Sequence, residues 1–551
     1  MSDANPLIAV SGIESETPTE TLPDHAAYIK RREVLLVIIT ASIISVGAFF
    51  YFYVQGMTNA YGDGIARMNI ARKVVDHPDD SIWQHYIQTG SPWLPLQTFF
   101  MLPLVANDWM WRTGIAGSII SMLFYVIGAI SLYLHAKIIY RKEGAVYSSA
   151  LPWMVVAIFA LNPSIIYMQA TPMTELVFMG ALAAAACALQ FWVADQSLKR
   201  LALAAFVMTL TTLSRYEAWP VAAISVGIVT FLSRTNFKGR IRNTFVFGSI
   251  VSMGPVYWLW HNWAIYGNAF EFLTGPYSAR AIYLNNQAKL GWAKIFVSNA
   301  PLDLLLMLFT VAVLAGPLLL LLAIVGQARL VFARRWAIFD DAPAFLLALP
   351  FCFHVFSVYR GEMQMFPLSA FGLLNIRYGL LHLMAVAMFA PAIVPMFNSL
   401  GKARAVLIVS LVFAAQYGLV LSEGISQIAI YQEAFRNGVV ARVVRDRARV
   451  TTKLRENPPK SMILMHTGAL GPVVSEGGLK FCNIIHEGST GWHSVTERIP
   501  DEIETVIVQE GDPLDQKFRD SISLSKQLSD DYRLVFSIAK VSLYERRATS
   551  Q

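Results

Sequence analysis

Asp63, Glu175, Arg215, Glu217 and Arg377 are charged residues set at the margins of long apolar runs, and a charge there is costly unless it is paired or wetted. Asp63 lies in Tyr61-Gly62-Asp63-Gly64-Ile65-Ala66-Arg67, a few residues beyond the apolar run 34–54. The glycines on both sides favour a turn. Residues 65–75 have helical spacing, so the acid is expected to open a surface helix at the lipid interface. A carboxylate so placed suits a general base acting on a lipid-borne substrate, whereas a plain helix cap would do no chemistry. Further along come Thr171-Pro172-Met173-Thr174-Glu175, Ser214-Arg215-Tyr216-Glu217, Tyr277 with Arg280, and Asn375-Ile376-Arg377-Tyr378. Burying a charge at the centre of a span costs about 2.5–3.5 kcal/mol on insertion scales, so several such residues on one face mark a polar cavity or a paired site. Each also has a plain structural reading: Glu175 as a first-turn acid, Arg215 and Glu217 as a hairpin pair, Arg377 as a snorkelling anchor. Trp93, between Pro92 and Pro95, is either a sugar platform or part of an interfacial belt. His77, Asp79, Asp80 and His85 match no strong metal-ligand spacing.

The elements that must hold these residues are membrane helices. Of 551 residues 55% are hydrophobic and only 15% charged, far too apolar for one soluble core. Apolar runs predict about eleven spans, near 34–54, 113–134, 149–168, 174–194, 199–214, 218–233, 243–262, 299–327, 342–359, 377–397 and 404–422. The cations Lys30-Arg31-Arg32, Lys137 with Arg141-Lys142, Lys199-Arg200, Arg234 to Arg242, Arg329 with Arg334-Arg335, and Lys402 with Arg404 fall in alternate loops. The positive-inside rule then makes the N-terminus cytoplasmic and sends loops 55–112, 263–298 and 360–376 and the C-terminal region outside. A plasma or inner membrane is the expected location. The net charge of +7 is accounted for by these topology determinants, so nucleic acid is not expected as a partner; membrane lipids are. Residues 1–32 read as a disordered cytoplasmic tail without a secretory signal, and 33–422 as the transmembrane module. Cys187, Cys352 and Cys482 are too scattered for a disulfide framework. Residues 423–551 alternate short apolar runs, 461–465, 505–508 and 534–538, with polar helical stretches, the pattern of a small α/β domain. Arg442, Arg445, Arg447 and Arg449 precede it, as a solvated face or a contact for headgroups or an anionic acceptor.

Taken in order and by side, these residues resemble the GT-C superfamily of membrane glycosyltransferases, in particular the protein mannosyltransferase-like and aminoarabinose transferase-like branch. The likeness spans most of the chain. It rests on Gly62-Asp63 with Ala71-Arg72, Trp93-Leu94-Pro95-Leu96, Asn162-Pro163, Pro172-Met173-Thr174-Glu175, Ser214-Arg215-Tyr216-Glu217 and Arg377-Tyr378. Many members of that branch carry an Asp-Glu pair in the first loop, whereas Gly64 follows the aspartate here. The resemblance implies a mostly α polytopic bundle with a small extracytoplasmic α/β domain. It also implies transfer of a hexosyl or pentosyl group from a polyprenyl-phosphate donor to a hydroxyl of a protein, glycan or lipid acceptor, with inversion. Asp63 would be the base. Arg377 and Arg215, with Arg280 behind them, would hold the leaving phosphate, which the planar guanidinium fork suits. Tyr378 would add a hydrogen bond, Glu175 and Glu217 would orient sugar hydroxyls or Arg215, and Arg67, Trp93 and Tyr216 would complete the substrate site. No metal is demanded, although oligosaccharyltransferase relatives use a divalent ion held by paired acids and His77 to Asp80 could supply such a group. The segment from Thr467-Gly468-Ala469-Leu470-Gly471 to Gly488 is similar to a glycine-bearing element that ends many relatives, but a glycine-rich loop alone is weak support for nucleotide binding. The rival reading is a multi-pass transporter or flippase, which should show internal repeats and polar residues at mid-membrane. The sequence shows no clear repeat, and its charges gather near one interface.

Overall fold

The computed structural model describes residues 30–547, apart from 77–80, 288–290, 364, 366, 370–371, 374, 460, 490–491, 493–494 and 496–497. Most of the expected tail and the segment His77 to Asp80 therefore lie outside the described residues.

Among the described residues seven helices are long and apolar enough to cross a membrane: Arg31–Val54, Ile115–Glu143, Glu175–Asp195, Pro317–Arg334, Ile338–Tyr359, Ile376–Leu400 and Lys402–Ser422. Leucine, isoleucine and phenylalanine side chains of the outermost two, among them Ile43, Phe50, Leu411 and Leu419, are exposed, as lipid-facing residues are. The chain is thus a multi-pass membrane protein. The count of eleven is not reproduced. The expected span 299–327 is two helices, Ala300–Ala315 and Pro317–Arg334, broken at Gly316 with φ +94°. The expected span 149–168 is likewise split into Ala145–Ala160 and Pro163–Met168, with Asn162 capping the second through Ser164 and Ile165 N–H. The run 243–262 belongs to the 30-residue helix Phe237–Tyr266.

Two glycines set the interior of the bundle. A Cβ on Gly180 would lie 2.2 Å from the Phe124 carbonyl oxygen, so only glycine lets Glu175–Asp195 cross the helix Ile115–Ile139 this closely. One on Gly117 would lie 2.3 Å from Pro172 Cβ. The irregular stretch 170–174 is then tied down by Ser118 and Ser121 hydroxyls donating to the Ala170 and Met173 carbonyls, both at 2.8 Å. Gln97 adds bonds to Pro172 and Met173. Glu175 therefore starts its helix at a fixed point.

The bundle has two charged poles. At one, Lys137 pairs with Glu33 at 3.0 Å, Arg329 with Glu143 at 2.7 Å, and Arg334 with Glu143 and Asp341. These are clusters that the sequence placed in one set of loops, and the pairing satisfies them. Helix Arg31–Val54 leads from this pole to the other, where the loop after it folds into Gly62–Val75, Ile82–Ile87, Leu96–Val105 and Asp108–Thr113.

The C-terminal region carries a small sheet, as expected. With β1 (Pro367–Ser369) and β2 (Gly372–Leu373) forming a separate hairpin, the strands β3 (Met462–Met465), β4 (Ile484–Ile485), β5 (Ile503–Gln509), β6 (Tyr532–Ile538) and β7 (Val541–Arg546) lie in the order β4-β3-β5-β7-β6. β3 runs parallel to β4 and β5, and β7 is antiparallel to both neighbours. Leu464, Val506, Phe518 and Tyr532 fill one face. The other face shares a core with Met68, Ala71 and Trp111 of the outer loop. Thr467 to Gly471 is the first turn of helix Thr467–Gly477, not a glycine-rich loop.

Candidate functional site

Helix Gly62–Val75 begins after the N-cap Tyr61, so Asp63 sits in its first turn rather than in a flexible loop. Gly64 has a packing reason: a Cβ there would lie 2.8 Å from Pro172 Cγ. A carboxylate side chain at position 64 would press on the Pro172 ring.

Around Asp63 the structure gathers side chains from four distant segments. Arg377 Nη2 donates to Asp63 Oδ2 at 2.6 Å, and Arg377 Nε lies 3.3 Å from Glu175 Oε1. The same Glu175 oxygen is 3.4 Å from Arg215 Nη1, and Arg215 Nη2 donates to Glu217 Oε1 at 2.8 Å. His354 Nε2 lies 3.0 Å from that Glu217 oxygen, and its Nδ1 lies 3.0 Å from His382 Nε2. The Tyr378 ring packs against both guanidinium groups, at 5.2 Å from Arg215 and 5.6 Å from Arg377. Glu175, Glu217, Arg377, His354 and His382 are buried; the Asp63 side chain keeps 46% of its surface exposed. The array thus has a buried floor of paired charges and one open carboxylate at its mouth.

Arg67, one turn after Asp63 on the same helix face, completes the array differently. It is buried, its guanidinium lies 4.4 Å over the Trp93 ring, and its Nε and Nη1 meet no hydrogen-bond acceptor among the described residues. Burial pushes Arg67 down to about 10, with Asp63 opposing and Arg215 adding to the fall. It stays a cation at neutral pH, and it asks for an anion.

The other sequence candidates are placed as follows. Tyr216 donates to the Pro92 carbonyl at 2.5 Å, accepts from Trp258 Nε1 at 2.9 Å and stacks on Phe272, a set of contacts that anchors the outer loop to the bundle. Arg280 is exposed on the helix Ala279–Asn286, outside the network described above. Arg72 is a clamp, bonded to Asp76, Asp108 and the Val105 carbonyl. Among the described residues no group of three or more His, Cys, Asp or Glu could hold a metal ion.

Sequence reasoning missed His354, His382 and Glu433. The first two sit in apolar segments, where a lone histidine reads as core. Glu433, on the short helix Ala429–Phe435, accepts from the Asn375 N–H at 2.7 Å and so braces the turn that presents Arg377. Burial pushes its carboxyl up, and Arg377 and that N–H bring it only partly back, leaving it at about 7 against an ordinary 4.5. The folded chain therefore binds this proton more tightly than the unfolded chain. Its effect is to make stability greatest below about pH 4.5 and to lower it as pH rises toward 7, by on the order of 3 kcal/mol in all. Glu433→Gln stays neutral throughout, so its thermal midpoint relative to the parent protein is expected to rise between pH 5 and pH 8. Equal midpoint differences at both pH values would dismiss this account.

The fold is similar to that of a solved structure at low sequence identity. The chain is similar to the aminoarabinose transferase ArnT from Cupriavidus metallidurans bound to undecaprenyl phosphate, with a TM-score of 0.50 at 10% identity, covering 95% of this chain and 99% of that one. The Archaeoglobus fulgidus oligosaccharyltransferase also aligns, with a TM-score of 0.49 at 11% identity over 92% of this chain and 73% of that one. No family model matches the sequence, and no curated protein matches it.

Proposed function

We propose that the chain is a glycosyltransferase that moves a sugar from a polyprenyl-phosphate carrier to a hydroxyl acceptor, with Asp63 as general base and the arginines holding the lipid phosphate. The observation that carries this reading is the charge balance of the array. Asp63, Glu175 and Glu217 pair with Arg377 and Arg215, whereas Arg67, buried beside them, has no carboxylate of its own among the described residues. A phosphate brought beside Arg67 would find guanidinium N–H groups without an acceptor among the described residues and could share the forks of Arg377 and Arg215. The fold shared with ArnT, crystallised with undecaprenyl phosphate, supports a lipid-phosphate donor.

In the reaction the acceptor hydroxyl gives its proton to Asp63 as its oxygen bonds to the anomeric carbon. The bond from that carbon to the phosphate oxygen breaks on the opposite face, and the electron pair leaves with the lipid phosphate. One displacement of this kind inverts the anomeric centre. Asp63 engages Arg377 through Oδ2 and is half exposed, which suits a base that must meet substrate. The positive-inside distribution favours a site facing the outside of the membrane. Trp93, with Arg67 4.4 Å over its ring, would flank a phosphate held by that arginine and leaves its role as a sugar platform open to the same substrate.

His354 supports this site at one remove, because it holds Glu217, which holds Arg215. His354→Phe keeps a ring and removes both hydrogen bonds. Donor affinity is expected to fall about ten- to a hundredfold, the worth of a hydrogen bond to a charged group, about 1.5–3 kcal/mol. Calorimetric titration with polyprenyl phosphate checks this, and unchanged affinity would remove His354 from the scheme. The function itself is tested by mass spectrometry of surface glycoconjugates from a deletion strain complemented with the parent chain or with Asp63→Asn. A sugar present only with the parent chain is expected. Restoration by Asp63→Asn would favour a transporter, which needs no base.

A further inference from the structure

The helix that carries Asp63 at its start is gripped near its end by the C-terminal α/β unit. Lys73 Nζ donates to Thr467 Oγ1 at 3.0 Å and lies 3.5 Å from His486 Nδ1. Thr467 in turn binds the Glu487 carboxylate twice, through its N–H at 2.8 Å and its hydroxyl at 2.7 Å. Burial pushes the Lys73 ammonium down and the Glu487 carboxylate opposes that fall. His466 and Thr467 directly follow β3, and His486 and Glu487 directly follow β4, so the lysine sits at the carboxyl ends of two adjacent parallel strands. That edge is where open α/β sheets hold their ligands. Here the occupant is a side chain of the same polypeptide.

The contact is not isolated. Asn69, Lys73 and Asp76 recur at i, i+4 and i+7 on one helix face. Asn69 Nδ2 donates to the Gly471 carbonyl at 2.8 Å, and the Phe481 N–H donates to Asp76 Oδ2 at 2.6 Å. Met68 and Ala71 join the hydrophobic core on that side of the sheet. Asp63 lies ten residues before Lys73, roughly 15 Å along the helix axis.

We propose that Lys73 is a positioning residue, through which the C-terminal unit sets the place of Asp63 opposite Arg377. The inference rests on Asp63 being the base. A base displaced by about 1 Å loses roughly a hundredfold in rate, whereas binding of the lipid phosphate is spread over three arginines, of which only Arg67 rides on this helix, and is less sensitive. Asn69 and Asp76 still dock the helix when Lys73 is changed, so the expected result is misplacement, not unfolding.

The test compares Lys73→Met, Glu487→Gln and the double variant as full-length protein in lipid nanodiscs. Each single change should lower kcat at least about tenfold with donor Kd altered less than threefold, and the double should be no worse than the poorer single, since both remove one interaction. Amide exchange across 62–75 should quicken in all three, while Arg533→Gln, on the exposed edge strand β6, should change neither readout. Additive losses, unaltered exchange, or donor Kd weakening in step with kcat would overturn the proposal. Should Lys73→Met fail to accumulate, Thr467→Val removes the 3.0 Å contact and keeps both charges. If the parent chain transfers no sugar, the exchange measurement still decides whether the grip exists, which separates this inference from the functional one.

Discussion

Asp63→Asn is expected to lower the turnover of sugar transfer about 10²- to 10⁴-fold, the usual contribution of a positioned general base, while membrane insertion and donor binding persist. The amide has the size of the carboxylate, and its oxygen can still accept from Arg377 Nη2, now at 2.6 Å from Asp63 Oδ2. It cannot take a proton from an acceptor hydroxyl. The measurement is a radiolabelled or mass-resolved transfer assay with donor binding run in parallel. A loss confined to kcat places Asp63 on the chemical step, whereas equal losses in kcat and donor affinity would mean that its charge serves only to orient Arg377. Retained turnover would end the role of Asp63 as base.

The convergence of Asp63, Glu175, Arg215, Glu217 and Arg377 was legible because charge is conspicuous in an apolar chain. A residue whose burial costs several kcal/mol must have partners, and alternating cation clusters assigned the sides. The small C-terminal sheet was legible from the apolar runs of β3, β5 and β6, although the two-residue β4 was too short to register. The break at Gly316-Pro317 was also present as a turn signal, yet the long apolar run around it reads as one span when hydropathy is averaged. Other features need three dimensions. The reason for Gly64 lies in Pro172, more than a hundred residues away. Glu433 looks like a surface acid until Asn375 and Arg377 are seen beside it. Arg67 and Arg280 look alike in the sequence; only packing leaves one buried, its Nε and Nη1 without an acceptor among the described residues, and the other in solvent.

Arg377→Gln is expected to cost stability as well as function, and the two losses can be separated. Arg377 neutralises Asp63 and shares Glu175 with Arg215. Glu175 is 1% exposed, so removing one of its two cations leaves a buried carboxylate with half its compensation, a change that typically costs about 3–5 kcal/mol. The thermal midpoint should fall well below that of the parent chain. Adding Glu175→Gln removes the stranded charge and should recover most of that loss, because the penalty belongs to the unpaired ion rather than to the missing bond. Donor binding should not return, since the second change supplies no fork for the phosphate. Thermal unfolding and polyprenyl-phosphate titration of the single and double variants read the two effects apart. Recovery of both stability and donor affinity in the double variant would show that Arg377 serves the fold alone and would move the phosphate site to Arg67 and Arg215.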